Sequence, residues 1–337
     1  MYTAIDLFSG CGGLSTGLEL AGFSVLAAVE IDKIAAETYK LNHPDTKVFV
    51  ENIRELSTDT IKTMLNGQEL NLLAGCPPCQ GFSSIRKLNR KDYIRDNRNT
   101  LIEQYYRFVQ ELKPQTIMLE NVPALADYYL FRQIVRKLQK DGYHIVYKVV
   151  NVANYSVPQR RKRLIMVGSR LGVIDTALET NIATTVRMAF QKKVLDNDFV
   201  DTIYPHHIQR IQDMIKLIPK NGGSMSDLSD KYQLECHKKS NVGFNDVYGR
   251  LKWDDVSSTI TGGCLNPSKG RFLHPEENRC ISAREAALLQ TFPPDYKFPI
   301  NVPKTKLALM IGNALPPEFS RLQAENIATH LRVNRVL

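Results

Sequence analysis

The stretch Tyr2-Thr3-Ala4-Ile5-Asp6-Leu7-Phe8-Ser9-Gly10-Cys11-Gly12-Gly13-Leu14 reads as a buried strand running into a glycine-rich turn and then a helix, from about Leu14 to Ala21, that stops at Gly22. Glycines at such a turn let the backbone bend tightly and come close to a ligand. A second strand, Val25 to Ile31, carries Glu30 near its end, twenty residues after Gly10. A carboxylate there can accept hydrogen bonds from ribose hydroxyls. A plain strand-to-helix turn with a surface glutamate is the competing reading, and the pairing at this spacing favours a nucleoside-containing cofactor. The glycines fall at 10, 12, 13 and 17, so the third glycine of a G-x-G-x-x-G fingerprint comes late. That spacing disfavours a nicotinamide dinucleotide and suits a cofactor without a pyrophosphate, such as S-adenosylmethionine.

Outward from this unit the alternation continues. A helix ends before His43-Pro44, Leu70 to Ala74 is a strand broken by Pro77-Pro78, and Leu101, Ile102, Tyr105, Phe108, Val109 and Leu112 line one helical face before Pro114. Thr116 to Leu119 is a short strand. Phe131, Ile134, Val135 and Leu138 mark a further helix closed by Gly142, and Tyr143–Val152 and Arg163–Gly168 read as late strands. Repeated strand–helix alternation predicts an α/β fold with a mostly parallel sheet covered on both faces. Residues 171–270 are polar and irregular and read as a separate lobe. Order returns with a short helix at Ala283–Gln290 and a closing helix whose Ala324, Ile327, Ala328 and Leu331 share a face.

Composition bounds the function. The 337 residues are 43 % apolar and 23 % charged, enough apolar content for a core and against disorder. The formal net charge of +9 permits an anionic partner without requiring one. Six scattered cysteines fit a reducing compartment. The chain has neither a membrane-length apolar run nor a secretory leader pattern at its start.

Gly75-Cys76-Pro77-Pro78-Cys79-Gln80-Gly81-Phe82-Ser83 follows directly on a strand, which is how a sheet would present a thiol at its carboxyl edge. Half a zinc site, a dithiol redox centre and a structural pair are the alternatives. The other four cysteines offer no second pair for zinc, and a catalytic thiolate is favoured. Downstream, residues 86–98 hold six basic and two acidic side chains. They read either as a solvated loop or as a clamp on phosphates. Glu120 ends the strand at 116–119 and could donate a proton at the same edge. Arg161 and Arg163, two residues apart, could bind a phosphate or a polarised carbonyl oxygen.

These blocks resemble, in order and along nearly the whole chain, the DNA (cytosine-5)-methyltransferases of bacterial restriction–modification systems. The matching blocks are Asp6–Gly13, Glu30, Pro78–Ser83, Glu120-Asn121-Val122 and Gln159–Arg163. Later come Asn278–Glu285 through Gln290-Thr291-Phe292-Pro293, and Gly312–Pro317. The resemblance implies a Rossmann-like S-adenosylmethionine-dependent sheet over residues 1–170, completed by 305–337. It also implies a target-recognition lobe at 171–280 and a connecting segment at 281–304. It implies a pocket in which Phe8 stacks on adenine, Gly10, Gly13 and Leu14 border the methionine part, and Glu30 with Ile31 holds the ribose. Asn52, Ile53, Pro78, Leu101, Asn313 and Leu315 complete that pocket. The family usually has Asp where this chain has Asn52. The amide can still accept a hydrogen bond but has no charge, so weaker binding is expected.

The resemblance assigns the nucleophile to Cys79, with Glu120, Arg161 and Arg163 as catalytic partners. Gln80, Ser83 and Thr259 would touch the substrate, although a buried strand at Thr259-Ile260 is an equal alternative. The implied substrate is cytosine in a specific duplex DNA sequence, methylated at carbon 5 and flipped out of the helix, with S-adenosylhomocysteine as co-product. No metal, no membrane and a monomer are expected, in a bacterial cytoplasm at the nucleoid, with a cognate restriction endonuclease as functional partner. An RNA cytosine methyltransferase, a non-catalytic DNA-binding relative and a nicotinamide oxidoreductase are the rivals. The first usually has Pro-Phe-Thr where Gly81-Phe82-Ser83 stands here. The second would have lost its nucleophile, acid or arginines.

Overall fold

The computed structural model describes residues 1–78, 100–180, 182–192, 198–229, 231–232 and 246–334. The chain divides into two compact units, the first comprising Met1–Tyr155, Lys162–Thr180 and Leu315–Leu337, the second Ser156–Arg161 and Asn181–Ala314.

The first unit opens with β1 (Tyr2–Leu7), α1 (Gly13–Leu20), β2 (Phe23–Val29), α2 (Lys33–Asn42), β3 (Lys47–Phe49), α3 (Thr58–Leu65) and β4 (Leu72–Gly75). It continues with α4 (Leu101–Leu112), β5 (Thr116–Asn121), α5 (Tyr129–Lys140), β6 (His144–Asn151) and β7 (Lys162–Ser169). Among the described residues the strands form one sheet in the order β3-β2-β1-β4-β5-β7-β6. The pairs from β3 to β5 are parallel, while β7 is antiparallel to both β5 and β6. The mostly parallel sheet read from the sequence is therefore present, with a reversed pair at one end. The order turns back on itself at β1, between β2 and β4, and ligands of such sheets bind beyond the carboxyl ends of the strands at that point.

Burial explains these elements. β5 is buried at every position and β4 likewise, as strands covered on both faces are. α4 turns Leu101, Ile102, Tyr105, Phe108 and Val109 inward, and α5 does the same with Phe131, Ile134, Val135 and Leu138. Each such side chain contributes roughly 1.5–3 kcal/mol on burial. Tyr105 also ties two strands, donating from its hydroxyl toward the carbonyls of Leu73 (3.2 Å) and Met118 (3.0 Å). α2 starts where Asp32 accepts from the amides of Ile34 (2.9 Å) and Ala35 (3.2 Å).

The second unit carries α6 (Val186–Phe190), α7 (Gln209–Leu217), α8 (Ala283–Leu289) and α9 (Lys304–Asn313). The chain then returns to the first unit as α10 (Pro317–Asn334). α10 packs on α1 where Gly17 has no side chain. A Cβ there would lie 2.4 Å from Ser320 Cβ and 2.5 Å from the Pro317 carbonyl oxygen. Ser320 donates to the Leu14 carbonyl at 2.8 Å across the same contact.

The limits of the units differ from those expected. Residues 281–304, expected to connect, and 305–314, expected to belong with the sheet, lie in the second unit, whose part also reaches back to 156–161. The physical reason is that α9 packs against α8, and that Gln290 donates to the carbonyls of Ile311 (2.6 Å) and Ala314 (3.2 Å).

Candidate active site

Register places the site. Leu7 lies opposite Val29 on one side and Gly75 on the other, and Gly75 lies opposite Leu119. The next residue of each strand is thus Phe8, Glu30, Cys76 or Glu120, so these four emerge in one row at the carboxyl edge. Gly75 permits the close strand approach, since a Cβ there would meet the Leu7 carbonyl oxygen at 2.9 Å.

At the β1 end of the row the chain leaves the strand with Phe8 at φ 62°, followed by Gly10 at 56° and Gly12 at 98°. Such a conformation is costly for a bulky residue and is held only where the surroundings demand it. Phe8 packs against the core cluster that contains Ile53 and Leu101. Glu30 accepts from the amide of Gly10 at 2.8 Å through one oxygen and from Asp32 at 2.7 Å through the other. Burial raises its pKa while those two amides, with that of Ile31, oppose the rise. Each carboxylate oxygen keeps a further lone pair, which is what a vicinal diol requires. Gly13 and Leu14 are buried at the start of α1, and Ile31 is 64 % exposed.

Beneath the turn Asp6 is fully buried. Ser15 donates to its Oδ2 at 2.7 Å and Tyr39 donates to Ser15 at 2.7 Å, whereas Oδ1 has no hydrogen-bond partner. Desolvation pushes its carboxyl up to about 8, a rise the Ser15 hydroxyl opposes and the nearby Glu30 carboxylate reinforces.

At the other end, Glu120 is buried and forms an ion pair with Arg163, Nε to Oε1 2.8 Å. Glu120 lies opposite Ile165 in β7, so Arg163, two residues away, shares its face. Asn121 donates from Nδ2 to the Pro77 carbonyl at 2.8 Å and accepts from the Val122 amide, tying the end of β5 to the chain two residues before Cys79. Sequence reasoning gave Asn121 no role of its own, and its place inside the Glu120-Asn121-Val122 block is the signal that could have suggested one. Cys76 is half-buried. Desolvation first, then the Glu120 and Asp6 carboxyls, drive its thiol well above the usual range, against a smaller opposing effect of Arg163. A thiol so held is a poor nucleophile.

The remaining candidates separate. Cys79, Gln80, Ser83 and the basic stretch 86–98 lie outside the described residues. Arg161 belongs to the second unit, where Nη1 donates to the carbonyls of Ile260 (2.8 Å) and Gly312 (3.0 Å). Gln159 completes that knot, donating to Gln290 Oε1 (2.5 Å) and accepting from the Ile260 amide (3.1 Å). Thr259 donates to the Arg160 carbonyl at 2.6 Å and lies outside the strands, and Ile260 is buried. Asn313 ends α9 in the second unit, exposed, while Leu315 is buried in the first.

A sheet of this order, with a diol-competent carboxylate at its switch point and an acid–arginine pair further along the same edge, defines a Rossmann-like methyltransferase. The structure is similar to that of a DNA modification methyltransferase encoded within an Escherichia coli prophage, with TM-score 0.72 and 26 % identity, covering 98 % of this chain and 100 % of that one. It shares its fold with the Entamoeba histolytica methyltransferase EhMeth, TM-score 0.69 at 18 % identity, over 98 % of this chain and 99 % of the other. The chain belongs to the family of C-5 cytosine-specific DNA methylases, whose model matches residues 2–329. It is 34 % identical to the Type II methylase M.HgiDII of Herpetosiphon aurantiacus, over 97 % of this chain and 95 % of that one. With the Type II methyltransferase M.Sau96I of Staphylococcus aureus it shares 31 % identity, over 98 % and 76 %. It is accordingly a DNA (cytosine-5)-methyltransferase, and a methyl donor is part of its reaction. Among the described residues no helix is long and apolar enough to cross a membrane.

Proposed function

We propose that the enzyme takes its methyl group from S-adenosylmethionine and places it on carbon 5 of a cytosine within one duplex DNA sequence, using Cys79 as a covalent nucleophile. Its role would be to shield the DNA of its own cell, at the nucleoid, from a cognate restriction endonuclease, as the Type II names of its relatives suggest. The observation that carries the chemistry is the buried Glu120–Arg163 pair on the strand edge beside Pro77.

S-adenosylmethionine supplies an electrophilic sulfonium methyl group when bound. The donor set fits it: Glu30 has lone pairs for the ribose hydroxyls, Phe8 offers a ring, and nothing lies within 4 Å of the position a Cβ would take at Gly10. The target base must leave the duplex to reach a sheet edge, at a cost of a few kcal/mol. The thiolate of Cys79 adds to carbon 6 of cytosine, forming a C–S bond and moving the ring π pair toward carbon 5. Glu120 holds or protonates nitrogen 3, so negative charge does not build up on the ring. Arg163 fixes the Glu120 carboxylate and faces the base O2. After methylation a base removes the carbon 5 proton, the C–S electron pair returns to sulfur, and the ring double bond re-forms. Arg161 and Gln159 act at one remove, holding the loop at Ile260. The second unit, with Thr259, would read base edges.

Incubation with S-adenosylmethionine and a duplex carrying 5-fluorocytosine should trap the protein, because fluorine cannot leave as a proton does. Peptide mapping is expected to find the adduct at Cys79. An adduct at Cys76, or none, would overturn the assignment. Bisulfite sequencing of DNA from cells making the enzyme would give product and target site together.

A further inference from the structure

The position at which the family's carboxylate is replaced by an amide is not left free to turn. Asn52 heads a tight turn in which its carbonyl accepts from the amides of Glu55 (2.8 Å) and Leu56 (3.2 Å). Its side chain is gripped at both ends: Oδ1 accepts from the Arg54 amide at 3.1 Å, and Nδ2 donates to Glu55 Oε1 at 3.3 Å. The turn itself is anchored, since Arg107 donates from Nη2 to the carbonyls of Ile53 (2.6 Å) and Leu56 (3.2 Å). Ile53 is buried in the cluster on which Phe8 packs.

A carboxylate presents two acceptors whichever way it turns. An amide presents one acceptor and one donor, and a rotation by 180° exchanges them. Here rotation would set Nδ2 against the Arg54 N–H and Oδ1 against the Glu55 carboxylate, two repulsive contacts in place of two bonds. The amide is therefore polar in a fixed sense, with one lone pair on Oδ1 and one hydrogen on Nδ2 left over.

We propose that Glu55 is a positioning residue that locks Asn52 so that its amide reads the adenine edge of the methyl donor as an acceptor–donor pair. The inference rests on the reading of this pocket given above. An amide so oriented matches the 6-amino group of adenine with its oxygen and a ring nitrogen with its remaining hydrogen. Asparagine makes the same bidentate match to adenine in DNA recognition. A hypoxanthine, with an oxygen at carbon 6 and a hydrogen on nitrogen 1, meets the locked amide with both signs wrong. A freed amide could turn to accommodate it. The lost charge thus costs less than the bare replacement of a carboxylate by an amide suggests.

The test is calorimetric titration of the whole chain with S-adenosylhomocysteine and with its hypoxanthine counterpart. The parent protein should prefer the adenine compound by about tenfold or more, the discrimination a single mispaired edge carries. Glu55→Ala should shrink that preference to about threefold or less. Glu55→Gln, whose amide oxygen still accepts from Nδ2, should keep it. Asn52→Asp in the Glu55→Ala background should restore it, because a carboxylate has no donor end to turn inward. A purely structural role for Glu55 predicts that Glu55→Ala weakens both compounds alike with the ratio unchanged, and that result overturns the proposal, as does a parent protein with no preference. Glu30→Ala and Phe8→Ala keep the two levels apart. If neither alters binding of S-adenosylhomocysteine, the pocket itself has been misplaced. If both weaken it while the Glu55→Ala ratio stands, only the lock is wrong.

Discussion

In the first unit Leu119 is held by backbone ladders to Gly75 and Met166 on its two sides, and its side chain has only to fill space. In the second unit Arg250, fully buried, does with a side chain what a ladder does elsewhere. Its guanidinium donates to the carbonyls of Ile215 (2.8 Å), Ile218 (3.1 Å), His274 (2.9 Å) and Glu277 (2.5 Å) and to Asn278 Oδ1 (2.7 Å). Gln159, Gln290 and Arg161 repeat the device around Ile260 and Gly312. Backbone groups that leave regular structure must find partners when buried, and a unit poor in strands finds them in long polar side chains. One consequence is that the first unit tolerates exchange of apolar residues of like volume. The second depends on a few side chains with many bonds each.

Arg250→Met breaks this contrast most directly. Four carbonyl oxygens lose their donor, and at about 1–3 kcal/mol for each orphaned group, not additive, a loss of at least about 3 kcal/mol is expected. Trp253, the single tryptophan of the chain, lies in the second unit against Phe190 and His274, so its fluorescence in a urea titration reports on that unit. An unchanged midpoint would show that the side-chain bonds carry little of its order. Glu120→Gln tests the other region through function rather than stability. Glutamine can still accept from Arg163 but cannot protonate nitrogen 3, so methyl transfer should fall about hundredfold with S-adenosylhomocysteine affinity kept. A parallel loss of affinity would place Glu120 in cofactor binding instead.

Gly17→Ala probes how closely the first unit is packed. Alanine gains about 1 kcal/mol in helix propensity, but its methyl group would sit at 2.4 Å from Ser320 Cβ. Overpacking costs of about 1–3 kcal/mol should win, giving a net loss near 1 kcal/mol. A rise in melting temperature would mean that α10 shifts freely. The smallest effect is expected from Asp6→Asn, and it depends on pH. The folded carboxyl titrates at about 8 against an ordinary 3.8, so the folded protein holds a proton that the unfolded chain releases. The resulting stability is complete below pH 4 and drains away as pH rises toward 8. The melting temperature of Asp6→Asn relative to the parent should therefore climb by a few degrees between pH 5 and pH 8.5. A flat difference would mean that Asp6 is ionised in the fold.

What the sequence made legible was local. The strand, glycine turn, helix and Glu30 are neighbours in the chain, and their periodicity is strong, as is that of α4 and α5. β3, three residues long, and the short α3 carry too few apolar positions to show a period. α9 mixes lysines with apolar residues on a weakly amphipathic helix. The antiparallel direction of β7 could not be read, because a strand's own residues do not record which way its neighbours run. The contrast between Arg161 and Arg163 was equally hidden. Two residues apart, they looked equivalent, yet the carbonyls that engage Arg161 belong to residues 260 and 312, roughly a hundred or more positions away.

The packing of α10 on α1 has a bearing on synthesis. Residues 317–334 leave the ribosome some three hundred positions after residues 13–20, whose buried face they cover. Until then the helix behind the glycine turn has no lid, and the cofactor side of the sheet stays open to proteases. A nascent chain arrested before Leu315 should be clipped near α1, whereas one arrested well beyond Asn334 should resist, so competence to modify DNA would arrive in a single late step of translation.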